Sequence, residues 1–241
     1  MPLQPRRTAL RSAGGRIDVP VAAAVWVCGW LVAQVAGVIV LSAAGYENVD
    51  EAAIWALFLA QCLGWSAMIG GLVFASRAAG TGSFAADYGV RVKPVDVLGV
   101  PIGVLTQLVV LPLVYLPLDH FWPATFNEDK LSETAKDLVD RAGGGSAVLL
   151  VLMVCVGAPI VEELVYRGMI QGSLAARIDP VAAWVIASAF FMLIHFKPVE
   201  YPGLLAAGLV FGACLLATGR IGPAIAAHVG FNVTGLILAY N

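Results

Sequence analysis

Residues 147–157 carry no charged side chain, and this apolar run continues without a break into Ala158–Gly168, which reads APIVEELVYRG. Nothing else in the chain limits its fold as much. A run of this length and character is built for lipid, yet it holds two adjacent glutamates and an arginine. An ionised carboxylate at the centre of a bilayer costs about 3 kcal/mol on insertion scales, so these acids need partners or a task. On a helix, Glu163 and Arg167 stand four residues apart with the acid first, a spacing that lets them pair on one face. Glu162 lies about 100° further round the helix and cannot share that pairing. Its partners have to come from elsewhere in the chain.

The remaining sequence sets this run in context. Apolar residues make up 60% of the 241, charged residues 12%, and mean hydropathy is +0.87, whereas soluble domains carry about 25% charge. The apolar runs are long and continuous, unlike the short alternating segments of a membrane β-barrel. The expectation is an all-α, polytopic helical membrane protein with about seven spans, near residues 20–44, 52–76, 95–118, 147–176, 180–196, 203–217 and 221–240. Arg6-Arg7 suggests an export signal, but the apolar run that follows is too long for a signal core and reads as an uncleaved span. Pro101, Pro112 and Pro117 should bend the third helix and Pro159 the fourth, where its missing N–H would free the Cys155 carbonyl. Gly203, Gly208 and Gly212 would permit close approach of the sixth.

After the third span comes the longest polar stretch. Within it Ser132–Arg141 reads as a short amphipathic helix, capped by Ser132 and ended by Gly143–Gly145. It suits either an interfacial helix or a solvated loop helix. Cys28, Cys62, Cys155 and Cys214 are scattered singly and read as small buried hydrophobes, not disulfides. We divide the chain into a cytoplasmic tail (1–19), three N-terminal spans with their loop (20–146) and a C-terminal core (147–241). With the N-terminus inside, nine basic residues flank the cytoplasmic ends (Arg6, Arg7, Arg11, Arg16, Arg77, Arg91, Lys93, Arg177 and Arg220) and four the outer ends (Lys130, Lys136, Arg141 and Lys197). The excess favours an integral, multi-pass cell-membrane protein with its N-terminus in the cytoplasm.

Three spans each carry polar residues amid apolar ones: Glu162, Glu163 and Arg167; His195; and His228 with Asn232, four apart on one helix face. His120, at a loop edge, reads as incidental. Lipid-facing positions would be costly, so the three clusters should face a common interior. Each His or Asn alone could be an interhelical hydrogen-bond partner, and Glu163 with Arg167 reads as a structural ion pair that keeps Glu163 ionised. Glu162, without a local partner, leans to chemistry. Two schemes fit the set. A carboxylate and an imidazole can deprotonate a shared water while Asn and a second His stabilise the oxyanion. Alternatively Glu162, His195 and His228 could hold a zinc-like ion with an open position for water. Neither scheme needs a covalent nucleophile. There is no G-x-S-x-G serine, and the soluble zinc-protease motif H-E-x-x-H is absent.

Glu162-Glu163-Leu-Val-Tyr166-Arg167-Gly168, Phe191-x-x-x-His195 and His228-x-x-x-Asn232, in this order, resemble the CPBP intramembrane proteases. These include CaaX prenyl endopeptidases of the Rce1 type and bacterial Abi and immunity-like proteins. The resemblance spans about residues 147–241, while the first three helices match only in being apolar. It implies an intramembrane endopeptidase in which Glu162 and His195 activate water, His228 and Asn232 support the oxyanion, and Glu163 and Arg167 organise the site. Family members are described both as metalloproteases and as metal-free glutamate enzymes. The implied partners are a membrane protein or peptide substrate and the lipid bilayer, with no nucleic acid. The same resemblance admits a non-catalytic immunity or binding protein. A proton-coupled transporter is a third reading, weakened by the lack of repeated halves.

Overall fold

The computed structural model describes residues 17–240, and among these every regular element is helical. The elements that matter are α1 (Val19–Ala43), α2 (Ile54–Ala79), α3 (Pro94–Phe121), α4 (Glu128–Arg141), α5 (Gly145–Ala175), α6 (Pro180–Leu193), α7 (Tyr201–Thr218) and α8 (Gly222–Tyr240). Most of the tail expected to be cytoplasmic, with Arg6, Arg7, Arg11 and Arg16, lies outside the described residues. All but α4 and α6 are long and apolar enough to cross a membrane, α7 counting from Pro198.

At 14 residues, α6 rises only about 21 Å, against a hydrocarbon core of about 30 Å. It nevertheless runs from one face of the bundle to the other. Next to its start, Arg177 pairs with Asp18 before α1. On that same face the Ile221 N–H donates to Gly89 O at 3.0 Å, and Arg220 grips Asp96 at 2.6 Å. Beyond its other end, Tyr115 Oη donates to Val199 O at 3.1 Å and Thr134 Oγ1 to Glu200 Oε1 at 3.2 Å. Arg141 reaches the carbonyls of Val49 and Ala52, both at 3.0 Å, in the first loop of that second face. Each of these contacts joins segments that lie at the same end of the bundle. The protein is a multi-pass helical membrane protein in which six of the described helices are long and apolar enough to span, and α6 is a shorter apolar helix among them.

The amphipathic helix starts earlier than expected. Its cap is Asn127, whose side chain accepts from Lys130 N at 3.0 Å, while Ser132 Oγ donates back to Glu128 O at 2.8 Å. Glu128 and Asp129 in the first turn favour this start, since acids stabilise the positive end of a helix. α4 covers one end of the bundle, where Val139 and Ala142 join Ile54, Leu150 and Leu236. All four cysteines are free thiols, but only Cys155 is buried as expected; Cys28 is exposed, and Cys62 and Cys214 are half-buried.

The prolines widen the helices. π-helical segments run over Thr106–Val110 in α3 and Leu152–Gly157 in α5, each ending two residues before a proline, Pro112 or Pro159. An added residue in the turn moves the proline ring away from the carbonyl four residues back, with which it would clash. A third π segment, Glu163–Gln171, holds the glutamate–arginine motif. The core gathers around it: Leu164, Val165, Tyr166 and Met169 pack with Leu72, Ala75, Phe191 and Leu215. α3 meets α8 backbone to backbone, and a Cβ on Gly103 would run into Ala227 O. Gly208 and Gly212 bring α7 close to α6 and α5 in the same manner.

Candidate active site

Glu163, Arg167 and Gln171 recur at every fourth residue. In a π segment, whose hydrogen bonds span five residues, that spacing keeps side chains aligned along one stripe. All three are buried, with Glu163 0% and Arg167 1% exposed. Arg167 Nε lies 3.2 Å from Glu163 Oε2. Its Nη2 donates to Gly208 O at 3.1 Å, and one turn on Gln171 Nε2 donates to Gly212 O at 3.1 Å. The guanidinium is stacked over Phe191, 4.4 Å from the ring centroid, and lies 5.5 Å from that of Phe211. A buried cation needs such partners, because desolvation is expensive unless charge and hydrogen bonds are both met, although Arg167 Nη1, Glu163 Oε2 and Gln171 Oε1 remain buried without a hydrogen-bond partner.

The other oxygen of Glu163 reaches across to α8. Oε1 is 2.9 Å from His228 Nδ1. The Glu163–Arg167 pair is therefore more than a local strut, for it also fixes the His228 ring. An ionised Glu163 accepts from Nδ1–H, which sets the tautomer and turns Nε2 the other way. Phe211 stacks on this imidazole at 4.6 Å between centroids with a 20° tilt. The freed Nε2 points toward Glu162, whose Oε2 is 3.8 Å away. Glu162 is 26% exposed where its neighbour is fully buried. The adjacent acids thus occupy different environments: one locked, one accessible.

His195 closes α6. Its Nδ1 lies 2.7 Å from Phe191 O, leaving Nε2 unengaged by that bond. Phe196 follows in left-handed backbone (φ 53°), unusual for a residue with a side chain, and turns the chain directly after the histidine. The Phe191 ring stands between the two histidines, edge-on to His195 at 4.8 Å and to His228 at 6.0 Å. Tyr166 also meets Phe191, at 5.3 Å, and its hydroxyl accepts from Trp26 Nε1 at 3.3 Å. Asn232, one turn beyond His228, donates Nδ2 to Val154 O at 2.7 Å. One amide N–H is thereby anchored and the second remains available to donate.

The zinc scheme finds no support in this arrangement. Among the described residues no group of three or more His, Cys, Asp and Glu side chains is placed to hold a metal ion. Glu162 and His228 approach one another without His195, and Glu163 already occupies His228 Nδ1.

Sequence reasoning did not single out Gln171 or Phe211, and it placed Tyr166 in the motif without a role. Gln171 left a signal: it is the third polar residue at a spacing of four, inside an apolar stretch. Tyr166, four residues after Glu162, left a weaker one. Phe211 left none, since its stacking on His228 depends only on tertiary packing.

The helical membrane bundle carries carboxylates on α5, an imidazole just after α6, and an imidazole and an amide on α8. Residues 144–234 match the family described as type II CAAX prenyl endopeptidase Rce1-like. This stretch holds all three motifs, so the match agrees with the resemblance carried by the motifs, and the matched family is one of proteases. No curated protein and no solved structure matches the chain.

Proposed function

We propose that this protein is a membrane-embedded endopeptidase that hydrolyses a peptide bond of a membrane-associated protein or peptide at or within the bilayer. The observation that carries the reading is the division between the two glutamates: Glu163 buried and ion-paired against His228, Glu162 accessible with its carboxylate 3.8 Å from the far nitrogen of the same ring. Residues 147–241 form the catalytic part and the first three spans support it. The N-terminus faces the cytoplasm, in keeping with nine basic residues against four.

In the proposed reaction, Glu162 and His195 take the proton of a water molecule as its oxygen attacks the scissile carbonyl. His228, its ring held by Glu163 through Nδ1, faces the developing oxyanion with Nε2, and Asn232 adds its free N–H. Collapse of the tetrahedral intermediate breaks the C–N bond, and Glu162 returns its proton to the leaving amine. Water adds across the bond and no covalent enzyme intermediate forms.

The test is substrate capture with Glu162→Ala in native membranes, read by mass spectrometry, with an internally quenched prenylated C-terminal peptide as the first synthetic probe. Loss of one acid–base group removes about 10²–10⁴-fold in rate. A Glu162→Ala protein that cleaves the captured substrate at the wild-type rate would refute the proposal.

A further inference from the structure

Asn232 is held by an atom that an ordinary helix would not offer. Backbone carbonyls inside a helix are occupied by the N–H groups of the following turn. Around Leu152–Gly157 the register is that of a π-helix: the Ala158 N–H bonds to Met153 O, five residues back. In the same register the next carbonyl, Val154 O, would receive residue 159. Residue 159 is proline and has no N–H. Val154 O is the atom that accepts Asn232 Nδ2 at 2.7 Å. The sequence had pointed to Cys155, the partner in an α-helical register. The π turn transfers the loss one residue back, to the carbonyl facing α8.

We propose that Pro159 is a positioning residue for Asn232: by withholding one backbone donor it keeps Val154 O open, and that carbonyl orients the Asn232 amide toward the site. The inference deepens the proposed function and rests on it for its effect on rate, though not for its effect on structure. An interior proline removes a backbone hydrogen bond and crowds the preceding turn. In this place the missing bond is made up from another helix, which ties α5 to α8 at the level of the proposed chemistry. His228, on the next turn of α8, is fixed independently by Glu163, so the two proposed oxyanion donors are set by two different devices on α5.

The experiment is Pro159→Ala, which restores the donor and suits a helix better than proline does. The chain has four asparagines, Asn48, Asn127, Asn232 and Asn241. Selective ¹⁵N-asparagine labelling therefore gives four side-chain amide pairs, and Asn232→Asp identifies the relevant one by its loss. In wild-type protein one Asn232 amide proton exchanges slowly. In Pro159→Ala the pair shifts and its exchange rises at least ten-fold, while the protein melts no lower than wild type. On the captured substrate, Pro159→Ala lowers kcat about ten-fold with KM unchanged, and adds nothing in an Asn232→Ala background. An unchanged Asn232 amide in Pro159→Ala overturns the proposal without reference to any substrate. Additive losses in the double variant overturn the route through Asn232. A shifted amide with no change in rate upholds the positioning and instead refutes the catalytic part given to Asn232. If Pro159→Ala fails to fold, the claim that the added donor is tolerated falls, and Pro159→Gly, which restores the same N–H, repeats the amide measurement.

Discussion

α3 and α5 are built around the same local device and put it to different ends. Each has a π segment that ends two residues before a proline, and each packs against α8. In α3 the next N–H, from Leu111, bonds back five residues to Thr106 O, so the carbonyl left to Pro112 is that of Gln107. In α5 it is that of Val154, and Asn232 takes it. The rest of α3 is neutral from Val97 to Leu118 and meets α8 through Gly99 and Gly103, whereas α5 brings Glu162, Glu163 and Arg167 to that helix. A proline in a membrane helix frees a carbonyl wherever it occurs. The opposing helix decides whether that carbonyl becomes part of a site.

The largest expected difference between the two helices lies in charge. Arg167→Gln removes the cation from a carboxylate that is 0% exposed. Breaking a buried pair from one side costs about 3–5 kcal/mol, because the other charge is left uncompensated. Thermal unfolding in detergent should show that loss, together with loss of cleavage. Replacing both partners, Glu163→Leu with Arg167→Met, should recover most of the stability and none of the activity. Recovered activity in the double variant would mean that Glu163 does not act through His228.

Steric closeness comes second. At Gly103 an added side chain meets the Ala227 carbonyl and the Phe231 N–H of α8. Gly103→Val forces these backbones apart, and overpacking of this kind costs about 1–3 kcal/mol. At Gly37 in α1 an added Cβ has nothing within 4 Å, so Gly37→Val serves as the matched control and should stay within about 0.5 kcal/mol. Equal losses from the two variants, read by thermal unfolding, would show that α3 and α8 are not packed as closely as described.

What was legible in the sequence follows from these same residues. Spans were readable because lipid demands continuous apolar length, so α1, α2 and α3 announce themselves without any partner. The Glu163–Arg167 pair was readable because it is local, four residues on one helix. The link from Glu163 to His228 was not, since a side chain's reach across 65 positions depends on how α5 and α8 are brought together. The π segments were hidden too: a proline marks a break in hydrogen bonding, but whether the helix kinks or widens depends on what packs beside it. That choice decided which carbonyl was freed, Val154 and not Cys155. The start of α4 was missed for a simpler reason. Asn127 and Ser132 are both good capping residues, and the acids between them made the earlier start better.

The smallest effect expected is at Pro112. Its ring is exposed on the outer face of α3, and the π segment before it already absorbs the crowding that makes an interior proline costly. Pro112→Ala restores a donor for the Gln107 carbonyl, as Pro159→Ala does for Val154. On α3 this should change stability by less than about 1 kcal/mol, a fraction of the roughly 3 kcal/mol of an unrelieved interior proline, and leave cleavage of the captured substrate at the wild-type rate. The paired variants isolate the contribution of the neighbour, since the local chemistry of the two substitutions is identical. A Pro112→Ala protein that loses activity as far as Pro159→Ala does would make the π segments themselves, through some shared flexibility of α3 and α5 against α8, the source of the effect, and would remove Asn232 from the explanation.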